Sequence, residues 1–154
     1  MSAISAAKRG AFILFEGVDR CGKTTQCKRL TASLTETLGA GKVEFMRFPD
    51  RTTSIGATIN AYLTNAAELD DRAIHLLFAA NRWEAATRIR SLIADGVTVV
   101  CDRYSYSGVA FTSAKPGMDL DVSHEDISVV WLVYVPHGAA APCPLQMFFS
   151  CFCV

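Results

Sequence analysis

A chain of 154 residues can bury one α/β-sized core and is short for two. Its 15 basic and 15 acidic side chains cancel to a formal charge of zero, which excludes bulk electrostatic attraction to nucleic acid; any anion site must be built locally. Residues 1–10 carry Lys8 and Arg9 but no apolar run of signal-peptide length, so a flexible N-terminus, a cytoplasmic location and no membrane or nucleic-acid partner are expected.

From there to about Asp121, short apolar runs alternate with helical patterns, the signature of βαβ units around a parallel sheet. Ala11 to Phe15 is predicted as a strand buried on both faces. Lys23 to Leu38 has Leu30, Leu34 and Leu38 at four-residue spacing and ends at Gly39, which predicts a helix. Val43 to Phe48 reads as a second strand stopped by Pro49, and Ser54 can cap a helix covering Ile55, Ile59 and Leu63. A longer helix is predicted from about Asp70 through Leu76, Leu77, Ala80, Trp83 and Ile89 to Ala94, and Val97 to Cys101 as a third strand, apolar but for Thr98. With Cys21, Cys27 and Cys101 falling in a loop, a helix and a buried strand, reduced thiols are expected.

Gly17-Val18-Asp19-Arg20-Cys21-Gly22-Lys23-Thr24 matches G-x-x-x-x-G-K-[ST] in full, between a predicted strand and a predicted helix. Such a loop wraps phosphate oxygens with backbone N–H groups and sets them on the helix N-terminus. Lys23 would bridge the β- and γ-phosphates and the Thr24 hydroxyl would ligate Mg²⁺. The chain has no Asn-Lys-x-Asp guanine reader, which disfavours a GTPase and favours a small-molecule kinase. Arg20, inside the loop, can neutralise charge on a transferring phosphoryl group; a solvated loop residue is the plainer alternative.

Asp102-Arg103-Tyr104 leaves the third strand at the carboxyl edge of the sheet, where open α/β sheets bind ligands. Asp102 can hold Mg²⁺ or its waters and Arg103 can grip a phosphate, or the two can form a structural ion pair. His75, Phe78 and Arg82 share a helix face, so a ring and a guanidinium could meet a flat base, unless Phe78 simply packs in the core. Phe48 and Arg51 close the second strand at the same edge, and Ser107 and Gly108 are small enough for close backbone approach. These elements imply transfer between two phosphates, in which the attacking oxygen is already an anion and needs no general base.

Phe15 to Gln26, Arg47-Phe48-Pro49-Asp50-Arg51, Leu76 to Trp83 and Asp102 to Phe111 together resemble the thymidylate kinase family of eukaryotic type over about residues 9–121. The resemblance implies a P-loop three-layer α/β sandwich with a parallel sheet flanked by helices, conversion of dTMP to dTDP with ATP and Mg²⁺, and a homodimer. It further implies Gly17, Asp19, Arg20, Cys21, Gly22, Lys23, Thr24 and Thr25 around the ATP phosphates, with Asp19 also near the acceptor's 3′-hydroxyl. Arg51 and Arg103 would hold the dTMP phosphate, Phe78 would stack on thymine and Arg82 would read it. Phe48, Ser107, Gly108 and Phe111 would complete the pocket, with Asp102 supporting Mg²⁺. Another nucleoside monophosphate kinase, such as one acting on UMP, and a non-catalytic nucleotide-binding fragment are the alternatives.

Residues 122–154 do not continue the resemblance: neither an arginine-bearing lid nor an adenine loop is recognisable, and no Asp, Glu, Lys or Arg occurs from Ile127 onward. A surface is ordinarily about a quarter to a third charged. The expectation is a truncated or mis-spliced family member with a divergent apolar tail and weak turnover. Val129 to Val135 could supply one more strand, being far shorter than the roughly 20 residues a membrane span needs.

Overall fold

A computed structural model describes residues 9–115, in the order β1 (Phe12–Phe15), α1 (Lys23–Leu38), β2 (Val43–Arg47), α2 (Ser54–Leu63), α3 (Asp71–Ala94), β3 (Thr98–Asp102) and α4 (Ser105–Ser113). The expectations for residues 1–8 and for the tail from 122 lie outside the described residues.

The three strands form a parallel sheet in the order β1-β3-β2. Placing β3 in the middle explains its run of apolar residues, since Val99, Val100 and Cys101 are fully buried. Such burial contributes roughly 1.5–3 kcal/mol per large aliphatic side chain. In register with Val99 and Cys101, Phe12, Leu14 and Met46 meet Ile89, Ile93, Ala85 and Leu92 of α3 on one face. The opposite face carries Asp102 toward α1, whose Thr24 reaches it directly. Helices therefore cover both faces, giving the α/β sandwich expected from the strand–helix alternation.

Strand ends shift by a residue from those expected, and four further details differ. Thr53, not Ser54, caps α2, its hydroxyl accepting from the Gly56 amide at 3.0 Å, because Ser54 already has helical backbone. In β1 only Phe12 is buried, while Ile13, Leu14 and Phe15 are partly exposed, since β1 is an edge strand of the described sheet. β3 runs through Asp102, because its register with Phe15 and Arg47 holds that residue in the ladder. Leu76 and Trp83 are 62% and 50% exposed. The buried stripe of α3 runs His75, Ala79, Arg82, Ala86, Ile89, Ile93, so each lies one residue, about 100°, away from it.

Candidate active site

The site forms where the strands end. β1 leads into the phosphate loop, which reaches α1 through Gly22, its N-cap, at φ 87° and with no side-chain cap. The first N–H groups of α1 therefore remain available to an anion at the positive end of the helix dipole. Lys23 folds back over the loop, its Nζ donating to the Val18 carbonyl and lying 3.5 Å from Cys21 Sγ. Arg20 and Arg103 both adopt left-handed backbone, at φ 61° and 68°. Non-glycine residues held there cost on the order of 1 kcal/mol or more and concentrate at functional sites.

At the end of the central strand, Asp102 is 1% exposed. Its Oδ2 accepts from the Thr24 hydroxyl at 2.5 Å and lies 3.6 Å from Arg47 Nε, while its Oδ1 is buried without a hydrogen-bond partner. A carboxylate oxygen orphaned beside a threonine of the first turn of α1 fits a hard cation that takes few protein ligands and completes its shell with water and phosphate. No set of three or more His, Cys, Asp or Glu among the described residues could hold a metal, so an all-protein cage is not the alternative. Nearby, burial reinforced by Asp102 pushes the Cys27 thiol up to about 12.

Arg103, the next residue, pairs through Nη2 with Asp19 of the loop and donates through Nη1 to Ser107 Oγ at 2.9 Å. The Phe111 ring lies below its guanidinium, 5.7 Å away, and is itself 56% exposed. Arg82 is 8% exposed and sits 6.0 Å over the Tyr104 ring. Gly108 abuts it: a Cβ there would stand 3.0 Å from Arg82 Nη1.

A sequence model of the thymidylate kinase family matches residues 15–128, most of the chain and slightly past Asp121. The chain belongs to the thymidylate kinase family. It is 51% identical to the Danio rerio thymidylate kinase over 116 residues, covering 75% of this chain and 54% of that protein. With the human thymidylate kinase it shares 49% identity over 117 residues, again 75% and 54%. The chain thus spans about half the length of the curated relatives it matches. Among solved structures, thymidylate kinase from Ehrlichia chaffeensis superposes with a TM-score of 0.70 at 31% identity, covering 82% of this chain and 71% of that one. That from Candida albicans gives 0.64 at 44% identity, covering 75% and 49%.

Of the residues singled out in the sequence, the fold brings together Thr24 with Asp102, and Asp19 with Arg103, Ser107 and Phe111. Gly17, Arg20, Cys21 and Thr25 are exposed along the loop and the first turn of α1, and Arg51 is exposed in the turn after β2. Phe78 is half-buried on α3. Phe48 lies in the core, 5% exposed and edge-on to Tyr104 at 5.1 Å. His75 lies in the core, its Nδ1 2.8 Å from Thr112 Oγ1.

Three residues to which the sequence assigned no role of their own shape this region. Glu16 accepts from the Tyr104 and Ser107 amides and from the Ser107 hydroxyl. Asn81, 1% exposed, accepts from the Asp50 amide at 2.7 Å and donates to the Asp50 carbonyl, Thr53 and Glu84, fixing the turn that carries Arg51. Tyr104 floors Arg82, and burial raises its phenol above the ordinary range. A lone acid closing an apolar strand and a lone amide within a buried helical stripe were the available signals.

Proposed function

We propose that this chain carries the thymidylate kinase reaction: transfer of the ATP γ-phosphoryl group to the phosphate of dTMP, yielding dTDP. The observation that carries the reading is the convergence of the phosphate loop, through Thr24 and Asp19, on the consecutive residues Asp102 and Arg103 at the end of the central strand. In this reading Lys23 and the N–H groups of residues 17–25 bind the donor phosphates, and Arg20 neutralises charge on the group in flight. Arg51 and Arg103 hold the acceptor phosphate, with Phe78 against thymine and Arg82 at its edge. Thr24 and Asp102 would hold Mg²⁺, which supplies charge neutralisation on the donor phosphates. The acceptor phosphate is an anion already, so these side chains act by placing it and excluding water rather than by removing a proton.

Homodimerisation through α3 belongs to the same reading, supported by exposed Leu76 and Trp83 two turns apart on one side of the helix. A cytoplasmic location is the companion reading; no helix among the described residues is long and apolar enough to cross a membrane. The deciding experiment is a coupled phosphoryl-transfer assay of the full chain with ATP and Mg²⁺ against dTMP, dUMP, UMP and CMP, alongside calorimetry of each ligand. Preferential binding and turnover of dTMP is expected. Preference for UMP, or no binding of any monophosphate, would overturn the reading.

A further inference from the structure

α4 begins without a cap of its own. Its N-cap, Tyr104, makes no side-chain cap hydrogen bond, although the first N–H groups of a helix need acceptors. The acceptor comes from across the sheet: Glu16, the residue between β1 and the phosphate loop, takes the Tyr104 N–H at 2.9 Å and the Ser107 N–H at 3.2 Å on Oε1. A carboxylate also suits the positive end of the helix dipole.

Capping alone would use only those two amides, yet the second oxygen, Oε2, accepts the Ser107 hydroxyl hydrogen. A serine hydroxyl has one hydrogen to give. Once Glu16 takes it, Ser107 Oγ can offer only lone pairs to its other neighbour, Arg103 Nη1, at 2.9 Å. Arg103 in turn lies on left-handed backbone with its side chain 13% exposed, so its guanidinium direction is set by its partners rather than by an easy backbone geometry. The geometry points to Glu16 as a positioning residue that acts through Ser107 to aim the Arg103 guanidinium and to lock the first turn of α4 to the root of the phosphate loop. The phosphate held by Arg103 belongs to the reading proposed above; the aiming of Arg103 is testable without it.

The near-isosteric Glu16→Gln keeps the volume and one oxygen for the two amides but turns the other acceptor into a donor, so the Ser107 hydroxyl hydrogen loses its acceptor and the new amide competes with Arg103 for the Ser107 lone pairs. Ser107→Ala leaves the Glu16 cap on both amides and removes only the relay. In the full chain labelled with ¹⁵N, the Arg103 Nε–H signal is identified by its disappearance in Arg103→Ala. Both E16Q and S107A are expected to shift it and to speed its solvent exchange by about tenfold, while the Asn81 side-chain signal stays in place as a check on the fold. An Arg103 signal unchanged in E16Q would overturn the inference and leave Glu16 a helix cap only, even if S107A, which deletes a direct contact of Arg103, shifts it. Should E16Q fail to fold, Glu16→Asp, whose shorter carboxylate keeps the charge but draws back from Ser107, takes its place, and an unchanged Arg103 signal in it would overturn the inference.

Calorimetry then links the aim to the ligand. E16Q is expected to weaken dTMP by about tenfold and thymidine by no more than about twofold, because only dTMP carries the phosphate. Equal losses for both ligands would overturn the selective aiming of Arg103. A wild-type chain that binds neither ligand would sink the proposed acceptor, while the Arg103 signal still decides the positioning role.

Discussion

Thr24 gives its hydroxyl hydrogen to one oxygen of Asp102 at 2.5 Å and leaves the other oxygen buried and unpartnered. A fully buried carboxylate with one satisfied oxygen is poor for stability in the unliganded protein. Asp102→Asn removes that charge while its carbonyl can still accept from Thr24. The partner it leaves, Arg47, is 57% exposed and loses little. Thermal unfolding of the variant is therefore expected within about 1 kcal/mol of wild type, well below the roughly 3–5 kcal/mol typical of breaking a buried pair. The Mg²⁺-dependent part of ATP affinity should fall at least about tenfold. A variant that melts early yet binds Mg-ATP normally would contradict both expectations.

Asn81 spends both ends of its amide on the turn between β2 and α2. Asn81→Ala strands the part-buried Asp50 amide and removes the donors to Thr53 and Glu84, with an expected cost of about 1–3 kcal/mol in urea unfolding. Because the same turn carries Arg51, affinity for dTMP should drop even well below the melting temperature. Loss of under about 0.5 kcal/mol would show that water replaces the amide.

Gly56, buried in the first turn of α2, has no room for a methyl group. A Cβ would stand 1.7 Å from the Asp50 carbonyl oxygen and 2.9 Å from Arg51 Cα, both backbone. Gly56→Ala must displace the helix start or the turn, so the chain should be destabilised by more than about 3 kcal/mol despite the better helix propensity of alanine. Circular dichroism melting reads this directly; a variant as stable as wild type would mean that the turn moves freely.

Two thiols should make the fold sensitive to alkali. Burial pushes Cys27 up to about 12 from an ordinary 9.0, and burial likewise raises Cys101 well above it. Between those values the unfolded chain loses the thiol proton while the folded chain keeps it, so stability is complete below about pH 9 and falls as pH rises toward 12. Urea midpoints measured from pH 8 to 11 should decline, and Cys27→Ser and Cys101→Ser should each flatten the decline. Alkylation at pH 8 followed by peptide mapping should label exposed Cys21 and spare Cys27 and Cys101; a flat stability profile with uniform labelling would contradict their burial.

What could be read in the chain beforehand was what is local. The phosphate loop and the bounds of α1 at Lys23 and Leu38 follow from glycines, a lysine and leucine spacing within a few turns, and both are as expected. That the sheet is parallel follows from alternation; its order β1-β3-β2 does not. The contacts of Glu16 were not legible, because its partners lie 88 and 91 residues away and meet it only once β1 and β3 pair. Likewise periodicity finds apolar stripes on α3 but does not say which of two adjacent ones meets the sheet, so Leu76 and Trp83 look like core positions and are not. Arg82 joins the buried stripe because Tyr104, on a different segment, accepts its flat cation.

Asp102 and Arg103 are neighbours along the chain, one facing Thr24 and the other reaching Asp19. Their α-carbons are separated by a single peptide unit, about 3.8 Å. In the proposed reaction one carries the donor's cation and the other the acceptor's phosphate, so the span between the two substrates is gauged by a covalent link rather than by the closing of a loop. Inserting even one residue between them would act like lengthening a caliper: both jaws could still grip, but no longer at the width of a phosphoryl transfer.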